Sequence, residues 1–119
     1  MNYLIIFFGG GVGSLLRYLI GQTVLKYSQN LVLSTFISNV LACLIFAIFF
    51  KISSQFSYNE QSKLLILTGF CGGLSTFSTF GFETFVLLKQ QHYLFAFLNV
   101  IVSIGIALAM FYFISKKSI

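Results

Sequence analysis

Gly69-Phe70-Cys71-Gly72-Gly73-Leu74-Ser75-Thr76-Phe77-Ser78-Thr79-Phe80 lies in the middle of an apolar segment, yet no other run in the chain suits a helix less. Three glycines, four hydroxyl residues and three phenylalanines fall within these twelve positions. Each glycine costs about 1 kcal/mol in a helix interior. Ser and Thr bond nearby backbone groups in competition with the helical ladder. The chain has no proline, so any break here arises from glycine and hydroxyl chemistry. A spanning segment with this sequence is expected to break near its midpoint. In lipid each freed N–H or C=O is costly, and a break persists only where protein, a watery cavity or an ion satisfies it. Transporters and channels hold ions at such breaks, which makes this run the expected functional centre.

The composition around it sets the solvent. The chain has 119 residues, 58% of them hydrophobic and 8% charged. A soluble domain carries about 25% charged residues, so this chain cannot coat a surface facing water and lipid is the expected surrounding. Its length suits four spans of about 20 residues each in a single domain, residues 1–119. Four thin helices enclose little on their own, and oligomerisation is expected. The net charge of +5 does not point to nucleic acid, because the basic residues form no stripe. Arg17, Lys26, Lys51, Lys63, Lys89, Lys116 and Lys117 are the cations, and six of the seven flank apolar runs as membrane-edge anchors do. Cys43 and Cys71 sit inside apolar runs with neither metal spacing nor a disulfide framework; they read as small buried residues. The N-terminus lacks the basic region and small-residue cleavage site of a signal peptide, so the first segment is expected to stay as a helix.

The spans are expected at about Tyr3–Leu25, Leu31–Ile52, Lys63–Lys89 and Tyr93–Ile114, with a polar loop over Ser53–Ser62. Short links imply antiparallel neighbours. An even span count puts both termini on one side, with Lys51, Lys63, Lys116 and Lys117; the other side holds Lys26 and Lys89. Lys and Arg set orientation while acids count little. The bias of four against two mildly favours cytoplasmic termini and is weak enough for the chain to insert both ways and pair with its own inverted copy.

Several polar residues interrupt the spans. In Gly9-Gly10-Gly11-Val12-Gly13-Ser14-Leu15-Leu16-Arg17-Tyr18, Gly9 and Gly13 are four apart, as are Gly10 and Ser14. This small-xxx-small spacing lets helix backbones approach closely. A dinucleotide fingerprint would need a glycine at Leu16. Arg17 reads either as a side chain snorkelling to the far interface or as a charge in an anion-attracting vestibule. Asn39, with Thr35 and Ser38 nearby, reads as an interhelical hydrogen-bond partner or a pore amide. Asn99 and Ser103, four apart on one helix face, admit the same two readings. Phe77 and Phe80 would project from one face of a helix that resumes after the break, flanking Ser78 and Thr79. They are packing rings or, because aromatic edges carry positive partial charge, part of a dry passage for a small anion. Glu83 follows three residues later, near a span end; an in-membrane carboxylate is a functional candidate by default. His92 lies in a loop and carries no role.

These residues resemble the Fluc/CrcB family of small fluoride channels. Gly-Gly-x-x-Gly-x-x-x-Arg-Tyr in span one, the neighbourhood of Asn39 in span two and Gly-Phe-x-Gly-Gly-x-Ser-Thr-Phe-Ser-Thr-Phe in span three carry the likeness. The resemblance implies an all-α membrane protein of four transmembrane helices, the third broken, assembled as an antiparallel dual-topology dimer with two pores. It implies a channel, not an enzyme, that lets cytoplasmic fluoride leave passively through the cell membrane of a bacterium. Phe77 and Phe80 would supply ring edges to fluoride; Asn39, Ser78, Thr79 and Ser103 would form the polar lining; Arg17 and Glu83 would lie at vestibule and mouth. A structural sodium ion would be held by backbone carbonyls of Gly72 and Ser75 from each subunit. Ser75 stands where threonine is more usual, and Asn99 where some relatives have tyrosine, which leaves the outer end of the track open. The partner is a second copy or, as in some members, an oppositely oriented homologue.

Two other classes fit less well. A four-span proton-coupled multidrug exporter needs an acid in the first span, where this chain has Arg17, and the chain has no Trp to stack a drug cation. A non-transporting membrane scaffold is disfavoured by the intact phenylalanines and the expected break of the third span.

Overall fold

The computed structural model describes residues 1–116; Lys117, counted above in the charge bias, lies outside the described residues. Every regular element among them is helical: α1 (Asn2–Tyr27), α2 (Leu31–Gln55), α3 (Glu60–Lys63), a π-helical segment (Leu64–Cys71), α4 (Gly72–Leu74), α5 (Phe77–Lys89) and α6 (Tyr93–Ser115). Four stretches are long and apolar enough to cross a membrane: α1, α2, the stretch Glu60–Lys89 and α6. The longest dimension is 49 Å, enough for a bilayer of about 40–45 Å including headgroups.

Two boundaries and one turn pattern depart from expectation. Serines expected to open the Ser53–Ser62 loop instead belong to α2, because Ser53 and Ser54 donate to the carbonyls of Phe50 (2.9 Å) and Lys51 (2.8 Å) within the helix. The loop also ends early: Asn59 caps the next helix, its side-chain oxygen accepting from the Ser62 N–H at 2.8 Å. Glu60 then opens α3 and pairs with Lys63 at 3.6 Å. The third departure is the π-helical turn pattern over Leu64–Cys71, for which no residue type in the run is diagnostic. Such wide turns concentrate at functional sites.

Packing is inverted relative to a soluble domain. The buried apolar residues are small (Ala42, Ala47, Cys71 and Ala96, with Leu74), whereas Phe7, Phe8, Phe82, Phe97 and Phe113 lie exposed. α1 packs against the π-helical segment and α4, α2 against α6, and α5 beside α6. Glycine makes the first of these contacts possible. A Cβ on Gly9 would meet the Leu65 carbonyl oxygen at 2.6 Å, and one on Gly13 would meet the Leu74 nitrogen at 2.8 Å. Backbones this close gain dispersion along their whole length, the main source of helix association in lipid.

The step between α4 and α5 positions everything that follows. Ser75 (φ −83°, ψ 155°) and Thr76 (φ −148°, ψ 122°) are both extended. The i→i−4 ladder cannot cross two such residues, so α4 ends with free carbonyls and α5 begins with free amides.

Candidate ion pathway

Each group released at the step can be followed to its new partner. In a continuous helix the Thr76 N–H would bond the Gly72 carbonyl. Here it donates to Asn39 Oδ1 at 2.7 Å, and Asn39 Nδ2 donates back to the Thr76 carbonyl at 3.3 Å. One amide side chain on α2 thus serves both polar backbone atoms of one extended residue, as a neighbouring strand would. The Thr79 N–H, which would have bonded the Ser75 carbonyl, turns to Thr76 Oγ1 at 3.2 Å, making Thr76 the N-cap of α5. The Gly73 carbonyl accepts from Arg17 Nε at 3.1 Å and from Ser14 Oγ at 3.4 Å. Three carbonyls, those of Gly72, Leu74 and Ser75, are left without their helical donors.

Beside the step, α2, α5 and α6 border a groove of about 310 Å³, lined by Asn39, Thr76, Phe77, Phe80 and Ser103 among others. Phe77 and Phe80 do share one face of α5, with ring centroids 6.1 Å apart and planes tilted by 37°. Their environments differ: Phe80 is half-buried, whereas Phe77 is 85% exposed. Ser103 Oγ is buried with no hydrogen-bond partner among the described residues. Ser78 is exposed, its hydroxyl 3.4 Å from Thr76 Oγ1, and Thr79 is half-buried beside it. Asn39, Phe77, Phe80 and Ser103 therefore meet in one groove.

The remaining candidates lie elsewhere. Glu83 sits between α5 and α2, where Thr35 Oγ1 donates to its Oε2 at 2.9 Å. Its Oε1, and the Ser38 Oγ three residues along α2 from Thr35, are buried without partners among the described residues. Asn99 does not act with Ser103: its Nδ2 donates to Thr84 Oγ1 at 2.9 Å, an ordinary interhelical bond between α6 and α5. It borders a separate, larger groove of about 470 Å³ with Asn30, Phe36 and Phe95. Arg17 does not run free towards an interface, because its Nε is engaged on Gly73. Gly72 and Ser75 border a crevice of about 150 Å³ that also meets Cys43 and Cys71, both with free thiols. No group of three or more His, Cys, Asp or Glu side chains lies together among the described residues.

A family profile described as CrcB-like protein, Camphor Resistance (CrcB), matches residues 4–114. The chain belongs to the CrcB family. Among its relatives, a protein of Leptospira interrogans serogroup Icterohaemorrhagiae is 40% identical over 116 residues, covering 91% of this chain and 90% of the relative. One from Gloeothece citriformis is 38% identical over 105 residues (87% and 85%), and one from Pyrococcus abyssi is 37% identical over 108 residues (90% and 87%). All three are named fluoride-specific ion channel FluC; the CrcB relatives are transporters rather than enzymes.

Reading the sequence alone missed Thr76 and Ser14 as members of this CrcB site, and left Thr35 and Ser38 as mere neighbours of Asn39. A signal for Thr76 was present: a hydroxyl residue three positions before Thr79, at the point where the hydrophobic run resumes, is an N-cap pattern. Ser14 and Arg17 act on a main-chain carbonyl, and no residue type marks such a partner.

Proposed function

We propose that this chain is a subunit of a fluoride-selective channel that lets cytoplasmic fluoride leave passively down its electrochemical gradient. Two copies in opposite orientation form a dimer in the cell membrane with two pores, and the step at Ser75–Thr76 is the functional break of the third span. The observation that carries this reading is the groove in which Asn39, Phe77, Phe80 and Ser103 converge while Phe77 remains 85% exposed. A ring so exposed, beside buried polar atoms, fits one wall of a passage whose other wall comes from a second subunit.

The chemistry suits fluoride. A small, strongly hydrated anion enters a narrow passage only if donors replace its water. Ring edges of Phe77 and Phe80, hydroxyls of Ser78, Thr79 and Ser103, and the second amide proton of Asn39 would supply positive poles to it. Ser103 Oγ has no internal partner among the described residues, so its proton is available to a passing anion. Glu83, tethered to Thr35 by one oxygen only, lies one turn beyond Phe80, at a mouth, and Arg17 lies towards the opposite vestibule.

The residues at the step also fit a structural sodium ion. The Gly72 and Ser75 carbonyls lack helical donors, and main-chain oxygens at helix ends are suitable ligands for a hard monovalent cation. Gly72 is exposed, with nothing within 4 Å of where a Cβ would stand, so this turn can meet its copy across a two-fold axis. The ion would supply the positive charge that these carbonyls lack and join the two subunits.

Expression in cells stripped of their own fluoride export tests the function. Restored growth in millimolar fluoride is the expected outcome. Failure to rescue with membrane-inserted protein, alone and beside an oppositely oriented homologue, would count against the channel reading.

A further inference from the structure

Gly10, Gly13, Ser14 and Arg17 follow the i, i+3, i+4, i+7 spacing of one helical face, and all four meet the same short stretch of the third span. A Cβ on Gly73 would collide with the Gly10 backbone, and a Cβ on Gly13 would strike Phe70 and Leu74. Ser14 Oγ and Arg17 Nε, next along the face, both end on the Gly73 carbonyl. The glycines bring the backbones together, and the polar end of the stripe then reaches the oxygen.

We propose that Arg17 is a positioning residue that locks the Gly73 carbonyl and so withholds it from any cation at the step. Gly72 and Gly73 are adjacent but differently surrounded: a Cβ on Gly73 would run into the Gly10 backbone of α1, whereas one on Gly72 would meet nothing within 4 Å among the described residues. Four successive carbonyls (Gly72, Gly73, Leu74 and Ser75) are without helical donors at the step. Arg17 ties that of Gly73 to a resident guanidinium, and three are left. The half-buried guanidinium also fits this task better than an ammonium would, because its fixed planar donors hold one oxygen in one direction. Arg17 thereby sets both the direction of α4 and the number of oxygens facing the ion. The second of these consequences rests on the sodium reading above; the lock itself does not.

Gly73–Leu74 is the only Gly–Leu pair in the sequence. Labelling the full-length protein with carbonyl-13C glycine and 15N leucine therefore isolates one carbonyl by solid-state NMR in lipid. In Arg17→Gln and Arg17→Lys the Gly73 carbonyl signal is expected to move upfield, as for a carbonyl losing a charge-assisted donor, with a smaller move in Ser14→Ala. A signal unchanged in both Arg17 variants overturns the lock. The second readout is the sodium concentration that half-stabilises the dimer against thermal dissociation. Removing the nearby positive charge and freeing an oxygen in Arg17→Gln is expected to lower it about tenfold. An equal or higher value overturns the claim that Arg17 withholds an oxygen from the ion. A wild-type dimer indifferent to sodium would overturn the sodium reading and this consequence with it, while the carbonyl signal still decides the lock.

Discussion

Asn39 on α2 and Thr76 at the α4–α5 step are joined by two hydrogen bonds, the Thr76 N–H donating to Oδ1 at 2.7 Å and Nδ2 donating to the Thr76 carbonyl at 3.3 Å. The pair fixes where α5 starts and therefore where Phe77 and Phe80 stand. In Asn39→Ala both backbone groups lose their partners in a half-buried site, at a cost of about 2–4 kcal/mol. Fluoride flux is expected to fall at least tenfold, and unfolding in detergent to begin at lower denaturant. Asn39→Asp keeps the acceptor for the N–H but sets an anion against the carbonyl, and is expected to be no better. Flux within twofold of wild type in Asn39→Ala would show that the clamp is dispensable.

The two rings lie 6.1 Å apart along the groove. Phe77→Ile and Phe80→Ile keep apolar bulk and remove the positively polarised edge. Each is expected to reduce fluoride flux sharply while the dimer still assembles, as judged by size-exclusion chromatography. Wild-type flux in both variants would refute the ring-edge role.

The glycines separate by what surrounds them. Gly13→Ala forces a methyl into the backbone of the third span and is expected to destabilise the fold by about 1–3 kcal/mol. Gly105→Ala, on α6 with nothing within 4 Å of its would-be Cβ, is expected to be neutral or to stabilise by up to about 1 kcal/mol through helix propensity. Denaturant titration of the two variants side by side checks the contrast, and equal midpoints would contradict the packing account.

Much of this arrangement was legible in residue types, and what was not shares one cause. The Gly9/Gly13 spacing announced close helix packing, and the structure provides it. The same spacing could not say that the opposing surface would be Gly69, Gly73 and a π-helical turn, because those glycines read equally well as helix breakers. Asn39 stood out as an amide among apolar residues, but its partner is the backbone of Thr76, and backbone partners carry no side-chain signature. Arg17 reads as snorkelling or as a vestibule charge for the same reason: the Gly73 carbonyl is invisible in a string of letters. Residue types alone end α2 three residues early, because Ser53 and Ser54 look like loop residues until their hydroxyls turn back onto the helix.

The charge bias across the membrane is weak, and the proposed dimer needs both orientations. Reporter fusions at the C-terminus, active only on one side of the membrane, are expected to show populations on both sides. A single orientation would mean that the chain pairs with an oppositely oriented homologue instead of with itself.

Fluoride efflux from liposomes reconstituted with this chain alone, with chloride as the control ion, tests the central claim most directly. Fast fluoride release without chloride release is the predicted result. Well-folded protein that releases no fluoride, even when a co-expressed homologue is present, would contradict the channel account.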